Sequence, residues 1–174
     1  MLQRSNWTDL SGFERVNFEE VCEVLANGGR HNSSRSTPEN LSTAFKSNRG
    51  VAKICNGQII AIAMLWTTAD SETLEIGTVW VHADFRGHGL LTLVLDELLE
   101  KAGNSKLFFF TKDDDGSVAL IRWAIKKGFV IVRSSQEHPH TLRWASQVGV
   151  VCRLPSSIYG FTDLNNRILV TRTH

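Results

Sequence analysis

No other stretch limits the folding of this chain as tightly as residues 75–91. They read Glu75-Ile76-Gly77-Thr78-Val79-Trp80-Val81-His82-Ala83-Asp84-Phe85-Arg86-Gly87-His88-Gly89-Leu90-Leu91. The first part has the β-branched and aromatic content of a strand. It runs into the short loop Arg86-Gly87-His88-Gly89, and Leu91, Val94, Leu95 and Leu98 then follow at helical spacing. The first amides of a helix have no internal acceptor, and that end of the dipole is positive. Glycines let such backbone come close to a ligand, and Arg86 adds a fixed positive charge. The assembly suits a pyrophosphate. The plainer reading is a tight turn that binds nothing. The arginine, the strand before it and the amphipathic helix after it together favour the anion site.

The flanking sequence predicts what this unit sits in. Phe13 to Ala26 has helical spacing and stops at Asn27-Gly28-Gly29. Thr37-Pro38-Glu39 is a hydroxyl cap followed by Pro at the first helical position, opening a helix to about Ser47. Val51–Cys55 and Gln58–Trp66 flank Asn56-Gly57, the strongest short signal for a hairpin. Thr73–Val81 reads as a strand, Leu90–Lys101 as a helix and Lys106–Thr111 as a strand. Ser117–Lys127 reads as a helix capped by Ser117 and ended by Gly128, and Phe129–Arg133 as a strand. Thr141–Gln147 reads as a short helix and Arg167–Arg172 as a last strand. This order fits one α/β domain over residues 1–174. Its sheet mixes antiparallel and parallel pairs, with helices on both faces.

Val81-His82-Ala83-Asp84-Phe85-Arg86-Gly87-His88-Gly89-Leu90 resembles the acyl-CoA signature of the GNAT superfamily, Arg/Gln-x-x-Gly-x-Gly/Ala. Arg86 and Gly89 match it. Leu91 stands where Gly or Ala is usual, and Ala83 where Pro is common. Lys126-Lys127-Gly128-Phe129 is similar to the family's Lys-x-Gly-Phe. The resemblance is good over residues 51–132 and poor at both ends. It implies a mostly antiparallel sheet with one splayed parallel pair, here Thr73–Val81 and Lys106–Thr111, and acetyl-CoA as co-substrate. It further implies that Val79, Trp80 and Val81 lie along the pantetheine. Arg86, Gly87, His88, Gly89, Leu90 and Leu91 would then hold the diphosphate. Ser117, at the usual asparagine position, either touches the cofactor or caps its helix; the cap is the favoured reading.

Direct acyl transfer needs a neutral amine, and deprotonating an alkyl ammonium at pH 7 costs about 4–5 kcal/mol. A carboxylate can take that proton. Glu75 is the candidate base, at a position where several family members carry a glutamate; the bland alternative is a strand glutamate paired with a cation. By simple alternation Glu75, Gly77, Val79 and Val81 share one face, unless a bulge near Gly77 changes the phase. The tyrosine that many members use as the acid falls on Ala124, and the single tyrosine, Tyr159, lies in the tail. A thiol of pKa about 8.5 is a fair leaving group without that acid. The expected activity is therefore acetyl transfer to a primary amine of a small molecule or protein. The competing reading is an acyl-CoA-binding protein of the same fold with absent or altered catalysis. Another nucleotide site is disfavoured, because the loop lacks a Lys-Ser/Thr ending and a dinucleotide-type acidic partner.

Other features are weaker. Asp113-Asp114-Asp115-Gly116 reads as a solvated loop, and His138-Pro139-His140 has no third metal ligand in view. His82 reads as incidental, and His88 as giving mainly its backbone amide. Acceptor contacts are expected from Arg30–Ser36 and from the tail around Trp144. Nineteen Lys plus Arg against eighteen Asp plus Glu leave +1, too little excess for general nucleic-acid binding. The scattered Cys22, Cys55 and Cys152 form no metal-ligand spacing and suggest a reducing, cytoplasmic setting. No apolar run is long enough to span a bilayer. Family members often dimerise, so the resemblance admits a homodimer.

Overall fold

A computed structural model describes residues 8–9, 17–27, 37–68, 71–112, 117–132 and 167–172. In chain order the elements are β1 (Thr8–Asp9), α1 (Phe18–Asn27), α2 (Pro38–Lys46), β2 (Gly50–Cys55), β3 (Gln58–Thr67) and β4 (Thr73–Val81). They continue with α3 (Leu90–Ala102), β5 (Lys106–Lys112), α4 (Val118–Lys126), β6 (Val130–Val132) and β7 (Arg167–Arg172). The fold is mixed α/β. Among the described residues, β1–β2, β2–β3, β5–β7 and β6–β7 pair antiparallel and β4–β5 pairs parallel. The chain forms two compact units. One comprises residues 1–65 and 77–103, the other residues 66–76 and 104–174.

In the first unit the strand order is β1-β2-β3-β4. Asn17 starts α1, its side chain accepting from the amides of Glu19 and Glu20 at 3.1 and 3.3 Å. Thr37 caps α2 through Oγ1, which accepts from the Asn40 amide at 3.3 Å, with Pro38 in the first turn. Asn56 and Gly57 both have positive φ, +51° and +80°, as a two-residue hairpin turn requires. Ile60–Leu65 of β3 are at most 1% exposed, the mark of a strand covered on both sides.

Two neighbouring contacts of β2 identify those covers. A Cβ built on Gly50 would meet the Phe45 ring of α2 at 2.9 Å. The Lys53 ammonium donates to Glu97 of α3 at 2.7 Å. Positions 50 and 53 face opposite sides of a strand, so α2 and α3 lie on opposite faces of β2. The register shift of the β2–β3 pairing falls after Lys53 and does not disturb this phase.

The second unit orders its strands β4-β5-β7-β6. Its core is aromatic: Phe129 lies 5.8 Å from Phe109 of β5 and 5.6 Å from Trp123 of α4, centroid to centroid. Gly128, at φ +82°, ends α4 and turns the chain so that the Phe129 amide reaches the Ala124 carbonyl at 3.0 Å. β4 and β7 have the bounds expected from sequence. β1 was not expected, because a two-residue strand carries no periodicity; it is visible only through its pairing with Lys53 and Ile54. The expected helix Thr141–Gln147 and the expected start of α1 at Phe13 lie outside the described residues.

The Gly50–Phe45 contact gives a direct check of this packing. Gly50→Val should destabilise the protein by about 1–3 kcal/mol through overpacking against the α2 ring, measured by urea denaturation.

Candidate active site

The strand leading to the glycine loop is not regular. Thr78 has φ +52°, a conformation in which a β-branched residue is a genuine outlier. Such a break shifts the pleat and is common beside functional sites. Glu75 and Val79 therefore do not share one face by uninterrupted alternation, and the irregularity sits one residue beyond Gly77, where the sequence admits it. The parallel ladder pairs Thr73, Leu74 and Glu75 with Lys106, Leu107 and Phe108; β4 itself continues to Val81. Val79, Trp80 and Val81 are half-buried.

Beyond Val81 a 3-10 turn, Ala83–Phe85, carries the chain to the loop. His82 organises it. Its amide donates to the Ile60 carbonyl of β3 at 2.8 Å, and its Nδ1 accepts from the Asp84 amide at 3.3 Å. Its ring stands edge-on to Trp80 and Phe85, at 5.7 and 5.6 Å. An acceptor at Nδ1 puts the neutral ring's proton on Nε2. The structure thus corrects the reading of His82 as incidental. The signal was a polar ring two residues ahead of Asp84, at a cap position. Arg86 is exposed, and its Nε donates to the Val81 carbonyl at 3.2 Å. That bond closes the loop and fixes where the guanidinium begins.

Gly87 and Gly89 both have positive φ, +79° and +80°. Gly89 is the N-cap residue of α3, its carbonyl accepting the first helical bond from Leu93 at 3.1 Å. It has no side chain to cap the helix, and the first turn contains no acidic residue. Among the described residues, the amides of Gly87, His88, Gly89, Leu90, Leu91 and Thr92 donate to no backbone carbonyl outside the helix. Arg86 to Gly89 are exposed, Leu91 is half-buried and Leu90 is buried as the anchor of the first turn. The result is a row of N–H groups with no backbone acceptor outside the helix, at the positive end of a thirteen-residue helix and next to a guanidinium. Its chemistry is that of an anion receptor. α3 is itself held down by Lys53–Glu97 and by Lys101, whose ammonium donates to Asn48 at 2.6 Å.

The first unit therefore brings together Val79, Trp80, Val81 and Arg86 through Leu91. Glu75 and Ser117 belong to the second unit. Glu75 is 3% exposed and pairs with Phe108. Ser117 occupies the N-cap position of α4 without capping it; its hydroxyl accepts from Thr111 Oγ1 at 2.7 Å. The expected side-chain cap is thus replaced by a cross-link to β5. Ala124, where an acid would be usual, is fully buried. Among the described residues no group of three or more His, Cys, Asp or Glu is placed to hold a metal, and no helix is long and apolar enough to cross a membrane. Arg30–Ser36, Asp113–Gly116, His138, His140, Trp144, Cys152 and Tyr159 lie outside the described residues.

Residues 19–129 match the sequence model of the acetyltransferase (GNAT) family. The chain belongs to this family. Acyl transfer is the family's chemistry. No curated protein matches the chain in sequence. Solved structures share the fold at low identity. Ard1 from Thermoplasma volcanium aligns at 16% identity and TM-score 0.62, covering 96% of this chain and 97% of that one. Diaminobutyrate acetyltransferase EctA from Paenibacillus lautus, in complex with L-2,4-diaminobutyric acid and coenzyme A, aligns at 11% identity and TM-score 0.60, covering 89% and 87%. The protein yncA from Salmonella typhimurium, with its cofactor acetyl-CoA, aligns at 15% identity and TM-score 0.57, covering 90% and 85%.

The bare first turn of α3 predicts two effects of opposite sign from one substitution. Thr92→Asp should stabilise the free protein by about 0.3–1 kcal/mol, because a carboxylate there complements the dipole. The same charge should reduce the thermal stabilisation given by CoA. Denaturant midpoint and thermal shift read the two effects separately.

Proposed function

We propose that this GNAT member is an N-acetyltransferase that moves the acetyl group of acetyl-CoA to a primary amine of a small molecule or protein by direct attack. The observation that carries this reading is the row of uncapped amides from Gly87 to Thr92, with Arg86 beside it and no acid in the first turn. The diphosphate of acetyl-CoA is the part of the donor such a row recognises. Val79, Trp80 and Val81 then lie along the pantetheine arm, which pairs with strand backbone as an added strand does. Two neighbours of the fold, EctA and yncA, hold CoA or acetyl-CoA, and EctA's other ligand is a small diamino acid. They support both the donor and the amine class.

Glu75 takes the proton. The acceptor ammonium gives one proton to the carboxylate, and the neutral nitrogen attacks the thioester carbonyl. The C–S bond then breaks, the thiolate leaves with its electron pair, and the second proton released by the acylated nitrogen converts it to CoA. No oxidant or reductant enters. The thiolate departs without a tyrosine acid from α4, in keeping with Ala124 and with a thiol pKa of about 8.5. A cytoplasmic setting is consistent with the free thiols of Cys22 and Cys55. The second reading, an acyl-CoA-binding protein without turnover, draws on Ala124, buried where the usual acid would stand.

CoA release from acetyl-CoA over a panel of alkylamines, amino acids and short peptides separates the two readings. Release with one acceptor class supports the enzyme, and binding without release supports the second reading. Glu75→Gln should lower turnover by roughly 10²–10⁴ while leaving CoA affinity near wild type. Arg86→Ala should weaken CoA binding roughly tenfold or more, the size of a lost hydrogen bond to a charged group. Calorimetric titration measures it.

A further inference from the structure

Strand register in the second unit singles out a hydroxyl that the mechanism above does not use. Glu75 of β4 lies in register with Phe108 of β5, and Phe108 with Thr171 of β7. Residues paired in this way project from one face of the sheet. Thr73, two residues before Glu75, projects there as well. Phe109, the next residue of β5, faces the other way, where it meets Phe129 in the aromatic cluster with Trp123. The face bearing Glu75 is therefore not the one packed on Trp123 of α4.

On this face Thr73, Glu75, Phe108 and Thr171 are 0, 3, 0 and 4% exposed. Three polar side chains thus lie buried around one phenylalanine. Among the described residues, Thr171 Oγ1 is the buried side-chain polar atom that has no hydrogen-bond partner. A buried hydroxyl left in this state is costly, and native proteins keep one where water or a ligand completes it. Adjacent strands are about 4.8 Å apart, so the Glu75 and Thr171 backbones are about 10 Å apart, with Phe108 between them. That is too far for direct contact and short enough for water to bridge. Next on the same face, Phe110 is half-buried, its ring edge-on to Phe108 at 6.0 Å. The face is closed at Phe108 and more accessible at Phe110.

We propose that Thr171 is a positioning residue: its hydroxyl holds the water through which Glu75 receives the acceptor's proton. This rests on Glu75 as the base. The ammonium passes one proton to the water as the water passes another to the carboxylate, leaving neutral amine, water and a protonated Glu75. A hydroxyl both donates and accepts, so it holds the water before and after the transfer.

The test measures CoA release from acetyl-CoA with the same amine panel. Thr171→Val should lower kcat roughly tenfold with KM for acetyl-CoA unchanged, and Thr171→Ser should recover most of that loss. Wild-type kcat in Thr171→Val, or Thr171→Ser as slow as Thr171→Val, overturns the proposal. The parallel Glu75→Gln measurement separates the two failures. A slow Glu75→Gln with an unaffected Thr171→Val removes only Thr171, whereas an unaffected Glu75→Gln removes the base itself. A crystal structure of the full chain that shows ordered water gives an answer independent of turnover. Water bonded to Thr171 Oγ1 on the Glu75 face is expected, and a dry hydroxyl overturns the proposal.

Discussion

The unpaired N–H groups at the start of α3 are the constraint around which the first unit is built. A helix beginning at a glycine with no capping side chain leaves its first donors unmet inside the protein. Several local devices keep those donors in place. The Arg86–Val81 bond closes the loop, His82 ties the preceding turn to β3, and Lys53–Glu97 with Lys101–Asn48 holds the helix body down. Lys53 is nearly buried, its side chain 9% exposed, and the Glu97 carboxylate helps to offset the cost of burying that charge. These bonds fix the turn on both sides, which lowers the reorganisation that binding an anion there would require.

β4 serves both units and changes character along its length. Its first residues continue a regular parallel ladder with β5, where Glu75 is buried in register with Phe108. Thr78 then takes a left-handed conformation that a β-branched residue adopts only when its surroundings demand it. Strain of this kind gathers at functional positions. Placed between the candidate base and the strand expected along the pantetheine, it marks the point where the strand changes phase.

Much of this was legible in the sequence, and the misses have physical causes. β4 and β7 were read end to end because each is a short β-branched run between clear breaks. The glycine loop was readable because three levels agreed on it: strand propensity, turn residues and helical periodicity. The Thr78 conformation was not readable, since threonine is a good strand former and only tertiary context forces it left-handed. Ser117 misled for a related reason. A serine ahead of a helix is the usual sign of a cap, but Thr111 on the adjoining strand claimed the hydroxyl. His82 needed knowledge of the 3-10 turn it caps. Thr171 became visible only through register, because no sequence pattern tells which strand lies beside which.

Capture of the donor's diphosphate by the α3 amides can be read from backbone N–H resonances while CoA is titrated into the isotope-labelled protein. The largest shifts are expected at Gly87 through Thr92, with downfield movement as charged acceptors engage those donors. Saturable CoA binding that leaves these resonances in place and moves others would contradict it.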